Sequence, residues 1–315
     1  MPRSLVAGGA GFVGSHLCER LIAEGHQVVC LDNFGTARPE NVSSLLEDHA
    51  FELQRHDVVH SIPDLGSFDF VVHAASRASP VDFRSHAAEI AAVNSIGTQN
   101  LIDVARRTDA TFLLASTSEV YGDPQVHPQP ETYWGNVNTV GERSCYDESK
   151  RFAETLTHIA HQSFGLDTRI IRIFNTYGPR QRIDDGRAVI DFIVRAVLGE
   201  PLLVNGDGSQ TRSWCYVDDL VDGIVKTLLN RDVRGLVVNL GNPVENTIAD
   251  LAQRIVALTG SSSGIEHRAL PGDDPARRWP DITRARELLG WEPTISLDEG
   301  LRRAIEWYRP LIQAP

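Results

Sequence analysis

Short apolar runs alternate with longer amphipathic stretches along the first half of this chain. Arg3-Ser-Leu-Val-Ala7 is apolar over its last three positions, the signature of a strand covered on both faces. Gly8-Gly-Ala-Gly11-Phe-Val-Gly14 follows, and a helical pattern then runs to about Glu24, where Gly25 closes it. Gln27–Leu31 is a second apolar run that ends at Asp32. Together these pieces predict a strand–helix–strand unit of about 30 residues. Further strands are predicted at Phe51–Gln54, Phe68–His73, Thr111–Ala115 and Thr168–Phe174, with helical stretches between them, notably Ala87–Arg107 and Tyr146–Gly165. Such alternation predicts an α/β fold: a doubly wound parallel sheet with helices on both faces.

After Gly178-Pro179 the texture changes. Gly199-Glu-Pro201, Gly206-Asp-Gly208, Asn242-Pro243 and Pro271-Gly272 break the chain into shorter segments, which predicts a smaller and less regular substrate lobe. Leu236–Leu240 reads as a strand that returns to the main sheet. The two lobes are therefore expected to interweave, with residues 1–178 and about 213–243 in one, and 179–212 and 244–315 in the other.

Composition narrows the function classes. The net charge of −12 argues against a nucleic-acid or anionic-membrane surface. No apolar run reaches the roughly 18 residues of a membrane span. The first strand starts beside Met1, so no signal or transit peptide is expected. Cys18, Cys30, Cys145 and Cys215 lack Cys-x-x-Cys or zinc spacing, and read as reduced thiols of a cytoplasmic protein. The eleven histidines form no ligand motif, and no catalytic metal is expected.

The glycines at 8, 11 and 14 carry the first chemistry. The first permits a tight turn, the second lets backbone approach a pyrophosphate, and the third allows close helix–strand packing. The helix that opens there favours phosphate charge. Asp32 ends the second strand, where a carboxylate accepts from ribose hydroxyls and repels a 2′-phosphate. NAD is thus preferred to NADP on a Rossmann-type fold. Cofactor contacts are expected from Gly8, Gly11, Phe12, Val13, Gly14, Asp32, Asn33, Thr36, Asp57, Val58, Ala74, Ala75 and Ser76. Tyr146 and Lys150, four residues apart on one helix face, carry the second. A cation there favours the phenolate; bringing a tyrosine from about 10 to about 7 needs about 4 kcal/mol, which a lysine ammonium plus a cofactor's positive nicotinamide can supply.

The glycine loop and Tyr-x-x-x-Lys together resemble the extended short-chain dehydrogenase/reductase superfamily. Longer stretches are similar to one branch of it, the UDP-glucuronate decarboxylases (UDP-xylose synthases). Among them are Glu119-Val-Tyr-Gly-Asp-Pro, Tyr133-Trp-Gly-Asn-Val-Asn138, Arg143-Ser-Cys-Tyr-Asp-Glu148, Arg172-Ile-Phe-Asn-Thr-Tyr-Gly-Pro-Arg180 and Pro280-Asp-Ile-Thr-Arg-Ala-Arg286. The resemblance implies that Tyr146 takes the proton of a UDP-glucuronate 4-OH, with Lys150 lowering its pKa and Thr117 orienting the same oxygen. The resulting 4-ketone lies β to the C6 carboxylate, which permits loss of CO₂, and re-reduction gives UDP-xylose. Glu119 is implied at the C5–C6 chemistry and Arg278 at the sugar carboxylate. Asn175, Arg187 and Arg212 match positions that contact the nucleotide diphosphate. A homodimer through a four-helix bundle of the helices at 87–107 and 146–165 is implied as well.

The chain departs from that branch around the sugar. Arg77 stands in a loop that is otherwise proline-rich, Ala92 replaces a lysine, Thr139-Val-Gly-Glu142 replaces Pro-Ile-Gly-Pro, and Asn205 replaces a uridine-side tyrosine. Arg77 is expected either to replace the lost lysine's charge or to face solvent. These changes raise the expectation that some UDP-4-keto-pentose is released. The other readings are a nucleotide-sugar 4-epimerase or 4,6-dehydratase, and a non-catalytic NAD(H)-binding scaffold. Ser118 in place of the dehydratase aspartate argues against dehydration, and retention of Thr117, Tyr146 and Lys150 against a scaffold.

Overall fold

The computed structural model describes residues 1–269 and 277–313; the expected break at Pro271-Gly272 lies outside them. Its centre is a parallel sheet of seven strands. In chain order the first six are β1 (Arg3–Ala7), β2 (Gln27–Asp32), β3 (Phe51–Arg55), β4 (Phe70–His73), β5 (Thr111–Thr117) and β6 (Thr168–Ile173). In space the order is Val237–Leu240, β6, β5, β4, β1, β2, β3. The strand expected to return does so: Val237 pairs with Ile170 and Leu240 with Ile173.

The period-two pattern explains why both faces are covered. Leu5, Ala7, Val29, Leu31, Val71, Phe112, Leu114 and Ile170 point to one side, and Val6, Val28, Cys30, Val72, Leu113, Ala115 and Ile171 to the other. Helix α1 (Phe12–Ala23) packs on the second side through Leu17, Cys18 and Leu21, next to helix Val217–Leu229. The first side is covered by α4 (Thr98–Thr108) and α5 (Ser144–Phe164), which follow the short α2 (Pro80–Phe83) and α3 (Ala87–Ala92). Truncating a fully buried side chain such as Leu113 or Ile171 to alanine should cost about 2–5 kcal/mol.

The helix expected over 87–107 is divided. Between α3 and α4 lies one π turn, Val93–Gly97. A methyl of Val58 occupies the space beside Gly97, 2.7 Å from where a β-carbon would stand, and Ser95 Oγ donates to the carbonyl of Ala91 at 2.6 Å. Such local bonding loosens the regular ladder.

The smaller lobe holds helices Ala188–Leu198, Ile248–Thr259 and Leu297–Gln313 and three-strand and two-strand sheets. In the former, Arg277–Arg278 runs parallel to Thr211–Arg212, with Arg278 opposite Arg212. That pairing brings two cations from distant sequence to the mouth of one cleft.

Candidate active site

The cleft has a volume of about 1200 Å³ and runs between the carboxyl ends of the sheet strands and the smaller lobe. Gly8, Gly11, Phe12, Val13, Gly14, Thr36, Ala74 and Ser76 line its dinucleotide end. Gly8 has φ +80°, and a β-carbon there would stand 2.6 Å from the Ala75 backbone. At Gly14 it would stand 2.0 Å from the Gly8 carbonyl oxygen. Only hydrogen fits at either place, so the start of α1 is left bare for a diphosphate. Asp32 Oδ2 accepts from the amide of Ala10 at 3.0 Å and Oδ1 from that of Phe34 at 2.8 Å. These bonds aim the carboxylate and leave each oxygen a further lone pair for a ribose hydroxyl. Asn33 donates to Asp57 at 2.8 Å, which ties the ends of β2 and β3 together; Val58 is buried against the π turn. These residues fit NAD. Of the expected cofactor contacts, Asp32, Asn33, Asp57, Val58 and Ala75 do not line the cleft.

Tyr146 and Lys150 come from α5, and Thr117 from the end of β5. Tyr146 shares a hydrogen bond with Thr117, and its ring stacks on Phe83 with centroids 5.2 Å apart. Lys150 Nζ donates to the Ala115 carbonyl at 2.8 Å and lies 6.0 Å from the Tyr146 ring centroid. The protein groups alone do not lower the Tyr146 pKa. Burial pushes the phenol well above its ordinary value, and the Thr117 hydrogen bond offsets only part of that. Burial also pulls Lys150 down to about 7, against the charge of Glu154, so the ammonium itself is only marginally held near neutral pH. His73 is fully buried behind Lys150, and burial, followed by that lysine's charge, takes its pKa to about 3; it stays neutral.

At the sugar end Glu119 stands between two guanidiniums. Arg278 Nη1 donates to Oε1, and Arg143 Nη2 to Oε2 at 2.5 Å. Burial opposes ionisation, but Arg278 and then Arg143 outweigh it and hold Glu119 at about 2. Arg278 is 3% exposed; its Nη2 donates to the Gly122 carbonyl at 3.1 Å, and its Nε has no partner. The arginine expected for a substrate carboxylate is thus engaged with a carboxylate of the protein. The segment is fixed by Gln129, whose side chain accepts from Trp279 N at 2.9 Å, and by Asn239, which bonds the carbonyls of Gln129 and Asp281 at 2.9 and 3.1 Å.

Asn175, Arg187 and Arg212 all line the cleft. Asp185 grips Arg187 with both oxygens, Nη2 to Oδ2 being 2.7 Å, and this guanidinium lies close enough to Tyr146 to act on its charge. Arg212 donates to the carbonyl of Thr211 at 2.8 Å, and the amide of Cys215 donates to the carbonyl of Asn175 at 2.9 Å. Asn205 lines the cleft too, its carbonyl accepting from Gln210 at 2.7 Å. Arg77 does not line the cleft and stays partly exposed. It bridges to Glu89 at 3.2 Å, and its Nη2 lies 3.1 Å from the β-carbon position of Gly35, on the cofactor side.

Two members of the site escape a motif-by-motif reading: Arg143 and Asp147. Helical spacing could have found them, because 143, 146, 147 and 150 fall on one face of α5. Asp147 is buried, with Oδ2 4.0 Å from Arg143 Nε and no partner for Oδ1.

Comparison with known proteins agrees with this geometry. Residues 4–241 match the NAD dependent epimerase/dehydratase family. UDP-glucuronic acid decarboxylase 1 of Arabidopsis thaliana is 50% identical over 307 residues, 98% of this chain and 70% of that protein. UDP-glucuronic acid decarboxylase 1 of Danio rerio is 49% identical over 306 residues, 97% of this chain and 72% of that protein. Among solved structures, the UDP-glucuronic acid 4-epimerase of Bacillus cereus, in complex with UDP-glucuronic acid and NAD, is 30% identical. It superposes with a TM-score of 0.90 over 98% of this chain and 99% of that one. UDP-glucose 4-epimerase of Thermotoga maritima, with UDP-glucose, is 29% identical with a TM-score of 0.91, over 99% of this chain and 100% of that one. This chain belongs to the NAD dependent epimerase/dehydratase family and, within it, to the UDP-glucuronic acid decarboxylases.

Proposed function

We propose that this chain converts UDP-glucuronate to UDP-xylose and CO₂, with NAD held and reused. One observation carries the reading: a hydroxyl-handling set (Thr117, Tyr146, Lys150) and a carboxylate-handling set (Glu119, Arg143, Arg278) line the same cleft. Bound NAD supplies the hydride acceptor at the start and the hydride donor at the end. Gly8, Gly11, Gly14 and Asp32 hold it, and Lys150 is placed for its nicotinamide ribose. Tyr146 Oη takes the proton of the sugar 4-OH, holds it and gives it back, while Thr117 Oγ1 orients the shared oxygen. A positive charge brought beside Tyr146 by the cofactor offsets the burial that otherwise keeps the phenol protonated. Arg278 presents a planar fork to the sugar carboxylate. Once the neighbouring carbon is a ketone, CO₂ leaves, because the electrons left at C5 delocalise into that ketone. The enolate then takes a proton at C5 from solvent water, which Glu119, ionised throughout the neutral range, would order.

Asn175, Arg187 and Arg212 hold the nucleotide diphosphate. The NAD-binding part comprises residues 1–178 with about 213–243, and the sugar-nucleotide lobe 179–212 with 244–315; the return of Val237–Leu240 to the sheet supports this division. Exposed Phe152 and Ile159 on α5, with Ile96 in the π turn, support a homodimer through a four-helix bundle. Four free cysteines suit a cytoplasmic setting. No helix among the described residues is long and apolar enough to cross a membrane. Some product leaves as the UDP-4-keto-pentose.

The test is incubation with UDP-glucuronate and NAD⁺, followed by mass analysis of the nucleotide sugars over time. CO₂ and a pentose product are expected. A 4-epimerised hexuronate without CO₂ would instead establish the second reading, to which the structural likeness to the Bacillus cereus 4-epimerase gives weight. Early formation of UDP-xylose alone, with no NADH, would remove the idea of ketone release.

A further inference from the structure

The chemistry above gives the second arginine of the sugar end no step of its own. Arg143 caps the start of α5, three residues before Tyr146. It is fixed on three sides. Nη2 donates to Glu119 Oε2 at 2.5 Å, Nε faces Asp147 Oδ2 at 4.0 Å, and the guanidinium lies 5.6 Å from the centroid of Phe83, the ring that stacks on Tyr146.

Arg278 is already engaged in this arrangement: Nη1 donates to Glu119 and Nη2 to the Gly122 carbonyl, while Nε is buried without a partner. A carboxylate is bound best by two parallel N–H bonds from one fork. A sugar carboxylate that grips Nη1 sets a second anion against Glu119 Oε1, and like-charge repulsion then favours Glu119 giving up its hold on Arg278. Glu119, buried and charged, can do so only if another cation keeps it in place.

Resting on the decarboxylase reading, we propose that Arg143 is a positioning residue that retains Glu119 by Oε2 while the substrate carboxylate takes over Arg278. Two acids are then shared between two guanidiniums instead of competing for one. After CO₂ has left, Glu119 returns to Arg278, and the neutral pentose has no carboxylate with which to hold the cleft. Arg143 therefore sets how strongly the site prefers a uronate nucleotide over the pentose nucleotide.

The test compares two ligands on the NAD-loaded protein by calorimetry: UDP-glucuronate, which has the carboxylate, and UDP-xylose, which lacks it. Arg143→Met should weaken UDP-glucuronate binding about 10–100-fold, the effect of removing one partner of a buried charge pair. UDP-xylose binding should move by less than about 3-fold, since no carboxylate competes for Arg278. Arg143→Met combined with Glu119→Gln should return UDP-glucuronate binding to within about 3-fold of the parent, because a neutral amide needs no second cation. Arg143→Lys, which keeps the charge but not the fork, should fall between and serves if the methionine variant does not fold. A purely structural role would weaken both ligands alike and would not be rescued by Glu119→Gln. Either result overturns the proposal, as does an unchanged UDP-glucuronate affinity in both Arg143 variants. A parent protein that neither binds UDP-glucuronate nor releases CO₂ from it would sink the functional reading and this proposal with it. A parent that decarboxylates with the ligand preference unmoved in Arg143→Met sinks this proposal alone.

Discussion

Asp147→Asn should make the protein more stable than its parent in mild alkali and no more stable near pH 4. Asp147 is 5% exposed, one of its oxygens has no partner, and the nearest arginine nitrogen is 4.0 Å away. Burial, and then the charge of Glu119, push its carboxyl from 3.8 up to about 7, against the opposing pull of Arg143 and Arg278. For an acid raised in the folded state, the contribution to stability is complete below the unfolded pKa and is lost as pH rises through the folded one. Folding is therefore favoured by a protonated Asp147 below pH 3.8 and loses that support on the way to about pH 7. The gap between the two pKa values corresponds to about 4 kcal/mol. With an unfolding entropy near 2.1 cal/mol/K per residue, a chain of this length converts that into about 6 °C of Tm. The assay is thermal unfolding of parent and variant in matched buffers from pH 4 to pH 8. An asparagine mimics the neutral acid at every pH, so the variant-minus-parent difference should widen by about 6 °C across that range and level off above pH 7. A difference that stays flat, or narrows as pH rises, would refute the assignment of Asp147 as a buried acid.

Gly14→Ala puts a methyl 2.0 Å from the Gly8 carbonyl oxygen, a backbone atom that cannot swing aside. NAD affinity by calorimetry should fall by about 10–100-fold, the equivalent of about 1–3 kcal/mol of overpacking. Tyr146→Phe removes the group that exchanges a proton with the sugar; CO₂ release should drop about 10²–10⁴-fold while NAD affinity stays within about 3-fold, and unchanged turnover would end the proposed role. Arg172 grips Glu154 through Nε at 2.9 Å and Nη2 at 2.7 Å, and donates to Tyr121 Oη at 2.9 Å, all largely out of solvent. Arg172→Met should cost about 3–5 kcal/mol in urea unfolding, with part of the loss recovered by adding Glu154→Leu.

The cofactor half of the site was legible because its determinants are local. Gly8, Gly11, Gly14 and Asp32 lie within one strand–helix–strand unit, where spacing translates directly into geometry. Tyr146 and Lys150 were legible for the same reason: one helix turn fixes their relation. The charge cluster was less so. Glu119 and Arg278 were each picked out, but nothing along the chain says that they bond each other, since their meeting depends on how Arg277–Arg278 pairs with Thr211–Arg212. The two readings of Arg77 could not be separated along the chain because its partner, Glu89, and its neighbour, Gly35, come from different connections. The π turn at Val93–Gly97 leaves no trace in hydrophobic periodicity, because it preserves the buried face. An i,i+4 spacing shows the proximity of Lys150 to Tyr146 but not the burial that raises the phenol's pKa.

The edge strand Val237–Leu240 bears on how the chain is made. During synthesis β1 to β6 are all available once residue 173 has emerged, yet β6 remains an open edge until Leu240 appears. An unpaired strand edge is a template for pairing with another molecule, and non-local strand additions are slow steps. Nascent chains that stop between Ile173 and Val237 therefore expose β6 as the edge, whereas in the finished protein that edge is Val237–Leu240, whose backbone bonds Glu131 and Arg284. The same feature limits dissection. Cutting the gene at the start of the smaller lobe removes a strand from the larger one, so an excised N-terminal piece needs residues 237–240 supplied again, as a fused segment or an added peptide, to complete its sheet.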